Sequence, residues 1–126
     1  MLTTLSLVAL GGAIGASLRF LTGLGVIRIF GSGDFPVAII TVNVIGSFLM
    51  GVFIVLAAHR GLAHMSPFVM IGLLGGFTTF SAFSLETMTL IERGHMGSAA
   101  LYVALSVCLS VGALAIGLLA ARSAFV

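Results

Sequence analysis

Four apolar stretches, each long enough to cross a bilayer, constrain this chain more than anything else in its sequence. They run over about 2–24, 37–58, 67–91 and 97–121. A helix needs ~20 apolar residues to span the hydrocarbon. Backbone polar groups at that depth must satisfy one another, which for segments of this length means helices. Charged residues make up only 6% of the 126 residues and hydrophobic ones 60%, a balance no water-soluble domain of this size needs. The sequence therefore predicts an all-α integral membrane protein, one four-helix domain over residues 1–126, with the lipid bilayer as its surroundings. No loop between spans is long enough to hold an enzyme site. The first apolar run has no basic segment before it and is too long for a signal core, so it reads as a retained span.

Turn signals separate the spans. Pro36 suits the first turn of the second helix, where its missing N–H costs nothing. Ser66 and Pro67 read as a cap followed by a first-turn proline. His59-Arg60-Gly61 and Glu92-Arg93-Gly94-His95 supply the polar turns, and Arg28 and Asp34 fall in the first loop. Four crossings place both termini on one side, with Arg60 and Arg122. The other side holds Arg28, Arg93 and, if it counts, Arg19. Orientation normally follows a Lys/Arg excess in cytoplasmic loops, and here there is almost none. The balance predicts insertion in both directions and hence an antiparallel, dual-topology homodimer; the plainer alternative is that one arginine decides.

The chain has seventeen glycines. Gly11 and Gly15, Gly12 and Ala16, Ser47 and Gly51, and Gly72 and Gly76 are small residues four apart, a spacing that lets helix backbones approach closely in lipid. Four short helices are few to enclose a pore alone, which favours an oligomer. The five arginines form no basic patch, so nucleic acid is not an expected partner. Cys108 is the only cysteine, which excludes an intrachain disulfide; in an apolar stretch it reads as a small buried hydrophobe.

The third span contains Gly75-Gly76-Phe77-Thr78-Thr79-Phe80-Ser81-Ala82-Phe83-Ser84. Adjacent glycines weaken a helix by roughly 1 kcal/mol each relative to alanine, and four hydroxyls follow. Irregular backbone at membrane depth survives only where protein or a watery cavity covers it. The segment predicts a third helix broken near its middle, beside an ion or solute path. Freed carbonyl oxygens at such a break suit a hard cation.

Other polar groups inside the spans are candidates for the same path. Asn43 and Ser47 share a helix face; the amide either joins helices or faces a solute. Tyr102, Ser106 and Ser110 are four apart and form a hydroxyl stripe on the fourth span, either a hydrated track or packing. Phe80 and Phe83 share a face, and their positive ring edges can favour an anion, although core packing is the commoner role of such a pair. Glu86 and Arg19 are ionisable groups near span ends, functional candidates by default but free to snorkel to the interface. Nothing resembles a nucleophile–base pair, a phosphate loop or a metal cluster. An anion would have to be held by neutral donors, and without a trapping charge it would pass quickly.

These residues are similar to those of a known family. Gly12-Ala13-Ile14-Gly15-Ala16 with Arg19, Asn43 with Gly46 and Ser47, the Gly75–Ser84 motif and the Tyr102–Ser106–Ser110 stripe together resemble the bacterial fluoride channel family (Fluc/CrcB) over almost the whole chain. The resemblance implies an antiparallel homodimer in the bacterial inner membrane with two passive fluoride pathways that export fluoride from the cytoplasm. It implies that Asn43, Phe80, Phe83 and the hydroxyls of Ser81, Ser84, Tyr102, Ser106 and Ser110 line the path, with Glu86 and Arg19 near its ends. It also implies a central structural Na+ bound by the backbone carbonyls of Gly75 and Thr78. Ala82 departs from the family's frequent threonine. A small multidrug antiporter is the nearest rival class, but it would need a carboxylate deep in the first span, where this chain has Arg19. A non-conducting assembly subunit is the other rival, in which Asn43 and Phe80 would matter only for stability.

Overall fold

The computed structural model describes residues 1–126, and the chain is helical almost throughout. Helix α1 covers Leu2–Phe30 and α2 covers Val37–Arg60. A 3-10 turn at Ala63–Met65 leads into the third span. Its first half is wound as a π-helix over Pro67–Leu74 and closes with an α-helical turn, Gly75–Phe77; these two pieces together are α3. Helix α4, Phe80–Glu92, is its second half, and α5 covers Met96–Ser123. Four segments are thus apolar and long enough to cross a membrane, as the sequence predicts.

The boundaries differ from expectation in instructive ways. Helix α1 continues six residues beyond the predicted end at 24, so Arg28 lies in its last turn and not in the loop. A cation there faces the helix's free carbonyls, a favourable placement. Pro36 is the residue before α2 and not part of its first turn. Ser66 caps nothing: its backbone is already helical and its hydroxyl makes no capping bond. Pro67 does hold the first position of α3, where its missing N–H is harmless.

Glycine backbone contacts set the packing. A Cβ on Gly15 would strike the carbonyl oxygen of Leu73, and one on Gly11 the carbonyl of Phe68. Reciprocally, a Cβ on Gly72 would lie 2.8 Å from the Val8 carbonyl oxygen, and one on Gly76 2.8 Å from that of Gly12. Helices α1 and α3 therefore run side by side, main chain on main chain, as small residues four apart allow. Helices α2 and α5 use the same device. A Cβ on Gly51 would hit the Leu114 carbonyl, and one on Gly117 the Phe48 carbonyl. The sequence reading found Gly51 but missed its counterpart Gly117, although Ala113 and Ala121 stand four residues to either side of it.

The third span breaks three residues later than its glycines suggest. Gly75 is helical, with φ −63° and ψ −37°. The departure falls at Thr78 and Thr79, whose backbones are extended (ψ 158° and 119°). Gly72 and Gly76 are thus contact points against α1, and the chain opens where β-branched residues disfavour the helix. Helix α4 then ends in a tight turn at Gly94, with φ 80°.

The small fully apolar core lies below the break, where Leu90 of α4 meets Ala99 and Tyr102 of α5, with Phe35 and Ile39 packed against them. Most other large apolar side chains face outward, including Leu5, Ile14, Leu18 and Phe20 along α1. Cys108 is exposed as well, contrary to the buried role expected of it. Outward apolar faces are what a bilayer or a second helix bundle covers. Phe125 stacks on His59, ring centroids 4.5 Å apart, and lies under the Arg60 guanidinium, so the end of the chain is tied to the end of α2. On the opposite side, Arg93 pairs with Asp34 at 3.3 Å. Both side chains are more than half exposed, so the pair contributes little to stability.

Gly15→Val and Gly117→Val should each lower the yield of monodisperse protein in detergent and reduce the thermal midpoint, at a cost of ~1–3 kcal/mol, because a main-chain carbonyl cannot move aside as a side chain can. Gly97→Ala, where an added Cβ meets nothing within 4 Å, should behave as wild type. Size-exclusion chromatography and a thermal melt read both outcomes.

Candidate functional site

The break is held open by one side chain. The amide of Asn43, on α2, meets the backbone of Thr79 with both its heteroatoms. Oδ1 accepts from the Thr79 N–H at 2.8 Å, and Nδ2 donates to the Thr79 carbonyl at 3.1 Å. A peptide group torn out of a membrane helix would otherwise lose two partners in hydrocarbon, a cost of several kcal/mol. Asn43 supplies both in the pattern of a paired strand. It is therefore a helix-joining residue and a wall of the site at once, where the sequence left these as alternatives.

The hydroxyls of the two threonines finish the ends of the half-helices. Thr78 Oγ1 donates to the Leu74 carbonyl at 2.9 Å, closing α3. Thr79 Oγ1 accepts from the Ala82 N–H at 3.1 Å, which makes Thr79 the N-cap of α4. The carbonyls of the last turn of α3, that of Gly75 among them, are released from their helical donors. In an unbroken helix the Thr79 N–H would reach the Gly75 oxygen; here it goes to Asn43.

Beside the break lies a cavity of about 380 Å³ between α2, α4 and α5. Asn43, Thr79, Phe80, Phe83, Ser106 and Ser110 contribute to its wall. Five of these were candidates from sequence. Thr79 was read there as one of the hydroxyls at the break, but nothing in its spacing showed that the chain would turn at it. The polar atoms of this wall are incompletely paired. Ser106 Oγ, Ser110 Oγ and the neighbouring Tyr102 hydroxyl are buried with no hydrogen-bond partner. Tyr102 is 0% exposed and Ser106 5%. Three orphaned hydroxyls in a row along one helix face are expensive, which marks a place where water or an ion completes the set.

Aromatic rings connect this cavity to the rest of the bundle. Phe80 and Phe83 lie with centroids 5.3 Å apart, and Phe83 is 5.3 Å from Tyr102. Tyr102 in turn meets Phe35 edge to face at 5.8 Å. Phe35 belongs to a second, larger recess of about 680 Å³, which also holds Arg19, Asp34 and Glu86. The charged candidates are thus gathered in a separate recess, away from the break. Ser84 and Ser81 line neither cavity. Ser84 donates back to the Phe80 carbonyl at 3.0 Å, and Ser81 Oγ lies 3.3 Å from Thr79 Oγ1. Phe80 is the most outlying member of the set, 78% exposed at the cavity rim.

The arrangement provides no group of three or more His, Cys, Asp or Glu side chains for a transition metal. It does provide an uncharged chamber whose unpaired hydroxyls can each donate or accept, with Phe80 and Phe83 in its wall. Such a wall suits a small anion.

Comparison with known proteins agrees with the scale of this likeness. Residues 6–118 match the family described as CrcB-like protein, Camphor Resistance (CrcB). The chain is 65% identical over 122 residues to the fluoride-specific ion channel FluC of Ruegeria sp. (strain TM1040), covering 97% of each chain. It is 57% identical over 122 residues to the protein of the same name from Cereibacter sphaeroides (strain ATCC 17029 / ATH 2.4.9), again covering 97% of each. The Caulobacter vibrioides protein, also called fluoride-specific ion channel FluC, is 49% identical over 124 residues.

If Asn43 pins the break, Asn43→Leu should lower the thermal midpoint markedly, since two buried backbone groups lose partners at ~1–3 kcal/mol each. Thr79→Val, which removes only the α4 cap, should cost ~0.5–2 kcal/mol. Melting both variants in the same detergent checks the order; equal, small shifts would contradict it.

Proposed function

The chain belongs to the CrcB family, and on that premise we propose that it is a passive, fluoride-selective channel. The chain is a multi-pass bacterial membrane protein of a channel family and not an enzyme. The proposed direction is export from the cytoplasm, in the inner membrane. The observation that carries the proposal is the row of buried, unpartnered hydroxyls at Tyr102, Ser106 and Ser110 beside the break. Fluoride is a small, strongly accepting anion, and hydroxyl and amide donors replace its water at the least distance. No fixed cation lines this cavity, so the ion is stabilised without being trapped, as conduction requires.

The working unit of the proposal is an antiparallel homodimer with two pathways. Three things support it: the near-equal arginine count on the two sides, the apolar side chains turned outward, and the rim position of Phe80, whose ring a second copy would cover. Phe80 and Phe83 present ring edges, Asn43 one remaining N–H, and Arg19 and Glu86 the charged approach in the outer recess. Ser81 and Ser84 face outward on α4 in a single chain and join the path only across the pair of subunits.

A central Na+ fits the residues present. The Gly75 carbonyl is released from its helical donor by the Asn43–Thr79 bond, and Thr78 turns into extended backbone just after it. Gly75 is exposed on the chain's surface, where two copies can share an ion. Carbonyl oxygens are the ligand class a hard monovalent cation takes. Bound there, the ion would supply positive charge that links the two breaks.

Purified protein in liposomes loaded with fluoride or chloride should release fluoride rapidly and chloride negligibly, followed with ion-selective electrodes. Phe80→Ile should remain a folded dimer and lose most fluoride efflux. No fluoride release from a folded wild-type sample would overturn the channel reading. Replacing Na+ by N-methyl-D-glucamine throughout purification should reduce flux and weaken the dimer, whereas an unchanged flux would remove Na+ from the proposal.

A further inference from the structure

Two main-chain donors at the break have no acceptor in their own helix. The first turn of any helix leaves its N–H groups without partners. In α4, the Ala82 N–H goes to Thr79 Oγ1, while those of Phe80 and Ser81, in the first turn, have no carbonyl of their own helix to reach. These two amides stand at the positive end of a thirteen-residue helix whose first turn carries no acidic residue. The end opens on the cavity wall formed by Thr78, Thr79 and Phe80. Across that cavity stands Ser106, 5% exposed, its hydroxyl without a partner.

We infer that the α4 N-terminus is an anion subsite, in which the Phe80 N–H group and the Ser106 hydroxyl hold a small anion. The inference rests on the fluoride reading and sharpens it. The strongest binding point becomes a piece of backbone, and the side chains named so far shape access to it. Amides aligned at a helix start carry about half a unit of positive charge between them. That is enough to take an anion from water in a cavity without fixed charges, and too little to retain it as an arginine would.

The geometry also explains the pairing of Asn43. If Thr79 were free to rejoin the helix, the Phe80 and Ser81 N–H groups would find carbonyls a turn back and the donors would vanish. By keeping the Thr79 peptide extended, the two Asn43 bonds keep the α4 start unpaired. Asn43 is in this respect a positioning residue.

The sequence allows a direct test. Thr79-Phe80 is the only Thr-Phe pair in the chain, so protein labelled with carbonyl-13C threonine and 15N phenylalanine gives one signal in a spectrum filtered through the carbonyl carbon, the amide of Phe80. Full-length wild type in lipid nanodiscs should show that signal moving downfield and saturating as sodium fluoride replaces sodium gluconate. Ser106→Ala should raise the midpoint about tenfold or more, as expected for a lost hydrogen bond to a charged acceptor. A Phe80 amide that does not move, in protein that conducts fluoride, would overturn the subsite and leave the channel reading intact. Absence of both the shift and fluoride flux would count against the reading itself. A shift of equal size with chloride at equal concentration would make the subsite unselective and would overturn its assignment to a small anion.

Discussion

A polar backbone in hydrocarbon has to be satisfied from within the protein, and the rest of this structure follows from how that demand is met at Thr78 and Thr79. Opening a membrane helix exposes peptide groups at the depth where water is scarcest. Here the opening is limited to two residues, and three side chains supply partners at its centre. Thr78 turns its hydroxyl back on α3, Thr79 turns its own forward on α4, and Asn43 binds the peptide between them. The last carbonyls of α3 and the first amides of α4 are left over. The former are acceptors and the latter donors, so one short irregularity offers sites of opposite preference.

The bundle supports this arrangement by bringing backbones together. Because α1 meets α3 through Gly11, Gly15, Gly72 and Gly76, the first half of the third span is fixed against α1. The second half is held instead by α5, through Leu90, Phe83 and Tyr102. The two halves thus have different neighbours. The break lies where responsibility for the span passes from one neighbour to the other, and the cavity opens beside it between α2, α4 and α5.

Much of this was legible in the sequence. Lengths of apolar sequence located the four spans, since the thickness of a bilayer leaves little choice. Asn43, Phe80, Phe83, Ser106 and Ser110 were recognisable as polar or aromatic groups in the wrong place, and the structure gathers them in one cavity. The point of the break was not legible. Glycine propensity pointed to Gly75 and Gly76, but propensity is a weak prior beside the backbone contact that Gly76 makes with Gly12. The turn at Thr79 was not foreseen for a related reason: it depends on an amide thirty-six residues earlier. The extent of α1 was missed because Arg28 reads as a loop residue, although it stabilises a helix end.

The glycine contacts have an evolutionary consequence. Gly15, Gly51 and Gly117 meet Leu73, Leu114 and Phe48 through the carbonyl oxygens of those residues, a group that every amino acid carries. The glycines are therefore constrained, while the side chains opposite them are not constrained by the contact. These close pairs of positions are not coupled through the contact itself. In a protein held together this way, such seams are invisible to methods that infer proximity from coupled change, and the couplings that remain report contacts such as those among Phe83, Tyr102 and Phe35, where side chain meets side chain.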